Sequence, residues 1–307
     1  MANTASTTTA ISNAATANFR TWVAEIIAQL IAVGLTQTAD TGQINTGTVN
    51  KSGSTSTAVG YAIFRFNDTL QSSSPIYLRL DFGNGSALSN PAVWLTVGTS
   101  TNGAGVLGGV VVTQCACFVD QAPNSTSTTY LSRFVYNPTY GFLAMAWKIG
   151  SNANGVYSAM GGFIIGRSND ATGAATADAA FVITNSSTTS GNASGGYLQC
   201  ISFLNSALYP MSSGTPAWAS DWQYLPFYQE LSTTSLIGTN IQVGMTFYTT
   251  PNIELSDHMA IAYLADIPVS TTVSMTLVGS TSKTYIGVGY IFGSYAFANL
   301  GNVILWQ

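Results

Sequence analysis

Residues 76–83, IYLRLDFG, decide the fold class. Ile76, Leu78, Leu80 and Phe82 fall on one side of an extended chain, and Tyr77, Arg79 and Asp81 on the other. Alternation with a period of two is the mark of a half-buried β-strand. The next such run, AVWLTVG at 92–98, sets Val93, Leu95 and Val97 against Trp94 and Thr96. Upstream lies AVGYAIFRF at 58–66; downstream come TYLSRFVY at 129–136, GFLAMAWKI at 141–149, AFVIT at 180–184 and TYIGVGYIF at 284–292. Between such runs stand GNGS, TNGAG, NPTYG, SNANG and SSGTP. Glycine there supplies positive φ, Asn and Asp make side-chain turns, and Pro fixes φ. Many short strands with regular turns predict a mainly β chain, a β-sandwich or a jelly-roll-like arrangement.

One segment breaks this pattern. Over 14–34, Phe19, Trp22, Val23, Ile26, Ile27 and Leu30 recur at steps of three and four, which predicts one N-terminal α-helix with a single apolar stripe. Gly34 is placed to end it. Such a stripe needs a partner, either the chain's own β-domain or a docking surface on another subunit. These six residues are the candidate assembly interface. Residues 1–13 are rich in Ser, Thr and Ala without periodicity, and predict an arm with no order of its own or ordered only against a neighbour. The organisation expected is therefore an arm and anchoring helix at 1–35, a polar linker at 36–57, and a β-rich domain at 58–307. A slack stretch near 168–196 suggests a sub-boundary near 170.

Charge is scarce. Only 7% of the 307 residues are charged, against 46% hydrophobic, and the net charge is -4. A typical soluble domain carries about 25% charged residues. Small hydroxyl and amide side chains bury in a permanent contact far more cheaply than unpaired charges do. Weak net charge also does little to keep copies apart. The composition predicts a homo-oligomer or coat component. The eight Lys and Arg are scattered, so nucleic-acid binding lacks an electrostatic footprint. The sequence shows no signal peptide, and TWVAEIIAQLIAVG at 21–34 is too short to span a bilayer, so membrane insertion is not expected.

Three stretches carry a family resemblance: FRTWVAEIIAQLIAVGLTQTADTGQIN at 19–45, GYAIFRFNDTLQSSSPIYLRLDFGNG at 60–85, and NPAVWLTVGTSTNGAGVLGG at 90–109. Together they resemble the N-terminal part of virion structural proteins encoded among the tail genes of tailed bacteriophages, often described as tail-fibre-like. The resemblance covers about the first third of the chain. It implies a particle component of the tail or head–tail apparatus, made in the host cytoplasm and resident in the virion. The implied partners are further copies of itself and other tail or head–tail proteins, with three-fold symmetry expected by analogy with fibres. The family brings no catalytic residues to carry over, so no enzyme activity is expected.

Two constellations invite chemistry. In PAWASDWQYLPFYQELS, Trp218, Trp222, Tyr224 and Tyr228 crowd around Asp221 and Glu230. Aromatic faces beside carboxylates suit a sugar, which makes these four the candidate glycan-binding residues for a host surface polysaccharide. Two carboxyls at the right separation would also serve glycoside hydrolysis. An aromatic-rich subunit contact is the plainer reading. In NIELSDHMAIAYLAD, Glu254, Asp257 and Asp266 accompany His258, the one histidine. The run after His258 is too apolar for a solvated catalytic loop. Cys115, Cys117 and Cys200 read as small buried hydrophobes. With one His and three Cys, a zinc site is not expected, and no metal or other cofactor is predicted.

Overall fold

The computed structural model describes residues 3–11, 16–85, 91–110, 112–119, 128–139, 141–149, 160–169, 175–186, 197–202, 208–211, 243–244, 259–263, 272–275, 283–289 and 300–305. Among these the chain is mainly β, in antiparallel sheets, with one N-terminal helix. It begins with strand β1 (Asn3–Ile11) and helix α1 (Thr16–Ala32). Then follow β2 (Thr36–Gln37), β3 (Thr57–Arg65), β4 (Tyr77–Asn84), β5 (Pro91–Gly98), the short pair β6 (Ser100–Thr101) and β7 (Leu107–Gly108), and β8 (Val112–Val119). Strands β2, β3, β4, β5 and β8 form a five-stranded sheet in that order, and β6 and β7 make a hairpin of their own.

The next strands are β9 (Thr128–Asn137), β10 (Phe142–Ile149), β11 (Met160–Asn169), β12 (Ala175–Ser186), β13 (Tyr197–Ser202) and β14 (Leu208–Met211). They pair in sequence order as a meander, and β1 adds to its β9 edge to complete a seven-stranded sheet. The last strands, β15 (Val243–Gly244), β16 (Met259–Tyr263), β17 (Thr272–Met275), β18 (Lys283–Gly289) and β19 (Leu300–Leu305), form a second five-stranded sheet. There β16 returns beside β19 rather than β17, which is the strand order of a Greek key.

The strand that opened the sequence reading behaves as its alternation requires. Ile76, Leu78, Leu80 and Phe82 are buried, and Tyr77 and Arg79 are half-buried; Asp81, on the polar face, is the exception, buried where it pairs with Arg79. Their apolar face joins a core that also takes Phe64 from β3, Val93 and Leu95 from β5, and Cys117 from β8. The same core includes Phe134, Tyr136, Leu143, Met145, Phe163, Ile165 and Val182 from the seven-stranded sheet. One continuous apolar cluster therefore draws on α1 and on two sheets.

The stripe on α1 belongs to this cluster. Phe19, Trp22, Val23, Ile26 and Leu30 are fully buried, and Ile27 packs partly buried against them. Trp22 sits 6.1 Å from Phe19, ring centre to ring centre, and meets Phe82 edge-on at 6.4 Å. The candidate assembly-interface residues are thus packed within the folded chain, five of the six fully buried. The physical reason is area: five large apolar side chains gain about 1.5–3 kcal/mol each by leaving water, and their own sheet is the nearest surface that removes them from it. The helix ends as its sequence predicts. Gly34 takes φ of 115°, its N–H bonds the Ile31 carbonyl at 2.9 Å, and the Leu35 N–H bonds the Leu30 carbonyl at 3.1 Å. That pair of bonds is a Schellman turn, which needs a left-handed residue at the position Gly34 occupies.

Two other expectations change. Residues 3–11 form a strand on the chain's own sheet, pairing with β9 from Asn3 opposite Tyr136 to Ile11 opposite Thr128. Backbone bonds alone suffice for such a ladder, so the lack of apolar periodicity did not forbid it. The polar stretch 36–57 is no free tether. Thr38 N–H bonds the Ile63 carbonyl at 2.9 Å and Ile44 N–H the Tyr61 carbonyl at 2.8 Å, so it runs alongside β3. Arg20 of α1 clamps its far end, donating to the carbonyls of Val49 at 2.6 Å and Thr48 at 3.0 Å. The boundary near 170 falls between β11 and β12, which are paired along their length from Gly161 opposite Ser186 to Asn169 opposite Ala175.

Because α1 is part of the core, Trp22→Ala is expected to destabilise the whole folded unit by about 3–5 kcal/mol. Denaturant melts followed by far-UV and near-UV dichroism check this. A variant that keeps wild-type stability would return the stripe to an external role.

Candidate functional site

The described residues hold two polar constellations. The first joins sequence-distant parts of the chain. Arg167 on β11 donates from Nε to Asp68 Oδ2 at 2.6 Å and from Nη2 to Oδ1 at 2.9 Å. Both side chains are almost wholly removed from solvent. Two parallel bonds match the planar guanidinium to the carboxylate, the geometry in which a buried pair offsets most of its desolvation cost. Asp68 opens the connection between β3 and β4, and its Oδ1 also accepts the Leu70 N–H at 3.2 Å. Beside it the Tyr136 hydroxyl accepts the Asn67 N–H at 2.8 Å, and its ring meets Phe66 edge-on at 5.3 Å. Burial pushes the Tyr136 hydroxyl far above the ordinary tyrosine range; the Asn67 amide opposes this, the Asp68 charge adds to it and Arg167 opposes it. The hydroxyl stays protonated and serves as a fixed acceptor.

The second constellation sits over β3 and β4. Arg79 stacks on the Tyr61 ring at 4.0 Å, pairs with Asp81 at 2.6 Å, and donates to the Gly105 carbonyl at 2.6 Å. The Tyr61 hydroxyl donates to the Thr41 carbonyl at 2.7 Å. Asp40 is buried and accepts three bonds: from the Thr101 hydroxyl, from Thr38 Oγ1 at 2.5 Å, and from the Gly105 N–H at 3.1 Å. Gly105 takes φ of 91°, and a Cβ there would lie 2.1 Å from the Tyr61 hydroxyl oxygen, so only glycine fits. Burial raises the Asp40 carboxyl, but the bonds from Thr101, Thr38 and the Gly105 amide together outweigh it and hold the group below its ordinary value. The network pins the β6–β7 hairpin and the 36–45 stretch onto the sheet.

In both constellations the carboxylates are occupied by donors from their own chain, which is the arrangement of a structural clamp. Cys117 is buried with its thiol against the Val93 carbonyl at 3.4 Å, as a small hydrophobe would be. Among the described residues no group of three or more His, Cys, Asp or Glu is placed to hold a metal ion. No helix among them is long and apolar enough to cross a membrane. The candidate glycan-binding residues Trp218, Trp222, Tyr224 and Tyr228 lie outside the described residues, as do Asp221, Glu230, Glu254, Asp257, His258 and Asp266. Of the second constellation only the shared face of Arg79 and Asp81 was legible in advance, and the first was not. Asp68 and Arg167 are 99 positions apart, and no short motif links them.

Removing one half of the buried pair leaves the other charge stranded. Asp68→Leu alone is expected to cost about 3–5 kcal/mol, whereas Asp68→Leu with Arg167→Met costs much less. Chemical denaturation of the three variants measures the coupling, and additive losses would contradict it. For Asp40 the sign follows from its depressed carboxyl. Its contribution is complete above the unfolded value of about 4 and fades as pH falls through the lower folded value. Asp40→Asn is expected to lose roughly 1–2 kcal/mol at neutral pH, with the gap to wild type closing below about pH 4. Urea melts between pH 2.5 and 7 read both.

The chain matches no protein-family model, no curated protein and no solved structure.

Proposed function

We propose that this chain is a non-catalytic structural subunit of a tailed-bacteriophage particle, placed in the tail or head–tail apparatus and assembled as a homo-oligomer. The observation that carries the reading is where the few charges go. Arg20, Asp40, Asp68, Arg79, Asp81 and Arg167 are all engaged in internal contacts that hold loops, hairpin and sheets together. With only 7% of its residues charged, the chain has few ions to place on its surface, and hydroxyl, amide and small side chains are abundant. Such a surface packs against copies of itself without desolvating ions. The resemblance of 19–45, 60–85 and 90–109 to virion structural proteins points to the same class of assembly.

The reading has a direct test. Antibody raised against the chain should label purified particles at one fixed position, and particle proteomics should find it at stoichiometric level. A chain abundant in the lysate but missing from gradient-purified particles would overturn the proposal.

A further inference from the structure

We propose that Asn102 is a self-modification site: in the folded chain the backbone nitrogen of Gly103 displaces the side-chain amide of Asn102, and water opens the resulting cyclic imide to aspartate and isoaspartate. The site lies on the β6–β7 hairpin and needs no partner.

Asn followed by Gly suits this ring closure, because Gly has no Cβ to crowd its own nitrogen or to limit its φ. The sequence holds three such pairs: Asn84–Gly85, Asn102–Gly103 and Asn154–Gly155. Asn154–Gly155 lies outside the described residues. The other two stand in opposite environments. Asn84 and Gly85 are both buried, and Asn84 Nδ2, the atom that would leave, donates to the Ser52 carbonyl at 2.7 Å. Asn102 and Gly103 are both exposed, and a Cβ on Gly103 would meet nothing within 4 Å, so the space beside the pair is open to water.

Ring closure needs somewhere for negative charge to gather on the attacked carbonyl, and an acceptor for the proton on the attacking nitrogen. The hairpin supplies both. Asn102 Oδ1 accepts the Ala104 N–H at 2.8 Å and the Val106 N–H at 3.1 Å. Two such donors stabilise the charge that develops on that oxygen as Cγ becomes tetrahedral. They also settle which side-chain atom is the oxygen, since the amide nitrogen accepts no such bond. The Gly103 N–H donates to Thr101 Oγ1 at 3.3 Å. Thr101 gives its own hydroxyl proton to Asp40, which leaves its oxygen an acceptor toward Gly103. Asp40 is thus a positioning residue, acting through Thr101.

The step balances without an oxidant or reductant. Gly103 N bonds to Asn102 Cγ, the Cγ–Nδ2 bond breaks, and the nitrogen's proton leaves with the departing ammonia. Water then adds to one imide carbonyl: cleavage at Cγ gives aspartate, and cleavage at the backbone carbonyl gives isoaspartate. Isoaspartate lengthens the main chain between β6 and β7. That shifts the Gly103 carbonyl, which accepts the Thr41 N–H at 2.9 Å, and the Gly105 N–H, which bonds Asp40 at 3.1 Å. Modification therefore releases the hairpin from the 36–45 stretch.

The test incubates the full-length chain at mildly alkaline pH, folded and in denaturing urea. Peptide mapping by mass spectrometry follows amide-to-acid conversion at Asn84 and Asn102, and isoaspartyl methyltransferase labelling reports isoaspartate. The expected result is that folded chain converts at Asn102 while Asn84 stays intact, and that Asn102 converts faster folded than in urea. Thr101→Val is expected to slow the folded reaction about tenfold, the worth of one hydrogen bond, and to leave the rate in urea nearly as it was. If Thr101→Val fails to fold by circular dichroism, Asp40→Asn gives the same reading through the orientation of the Thr101 hydroxyl. An Asn102 that stays intact in the folded chain, or converts no faster there than in urea, overturns the proposal. So does a folded rate that neither variant lowers. The converted chain should also unfold at lower urea than fresh chain, and an unchanged midpoint overturns release of the hairpin.

Discussion

The apolar stripe on α1 can leave water in only one way within this fold, and most of the architecture follows from it. A 17-residue helix is marginal alone. A sheet with one apolar face is equally incomplete. Trp22 resolves both deficits by lying between Phe19 on its own helix and the edge of Phe82 on β4. Tilted and edge-on aromatic contacts of this kind add about 0.5–1.5 kcal/mol beyond the area they bury. The same cluster also takes in Phe134, Leu143 and Phe163 of the seven-stranded sheet, so the helix and both sheets share one core. The Schellman turn at Gly34 then sends the chain directly alongside β3.

A second constraint is electrostatic. Shape and hydrophobicity tolerate several ways of sliding one sheet over another, since apolar contact is non-directional. The Asp68–Arg167 pair is not tolerant. Each group is buried, so any arrangement that separates them strands a charge. Their bidentate match fixes the β3–β4 connection against β11 in one position. The protonated Tyr136 hydroxyl, accepting from Asn67 one residue away, repeats the same instruction with a neutral bond. Arg79 does the equivalent on the other side of β4, tying Tyr61, Asp81 and Gly105 at once.

How much of this was written locally in the sequence differs by element. IYLRLDFG and AVWLTVG advertise their strands because one face must be apolar and the chain alternates with period two. The helix was readable for the same reason with a different period, and its stop at Gly34 because a left-handed residue was needed. The partner of the stripe was not readable: periodicity shows that a face must be buried, never against what. β1 was hidden because its ladder is made of backbone bonds that Ser, Thr and Ala supply as well as Val does. Residues 36–57 read as a linker from their polarity, yet that polarity is what lets Asp40 accept from the hairpin's Gly105, Gln43 from Ile63 of β3 and Asn45 from Gly47 in its own turn. The strand Ala175–Ser186 was only partly visible, through AFVIT, because Thr, Ala and Asn dominate its ends. The candidate site was the least legible part: Asp68 and Arg167 are far apart in sequence, and although Arg79 and Asp81 stand two apart on one face of β4, the groups that complete their network, Tyr61 and Gly105, come from other elements.

Charge scarcity bears on the same points. A solitary soluble domain uses surface charge twice, to stay dispersed and to guard its sheet edges. Here the described Arg and Asp side chains are mostly turned to internal clamps, and the longest regular edge carries none. Internal clamping is therefore how a fold with so few charges is firmly registered within itself: the described ions are placed where each fixes one element against another.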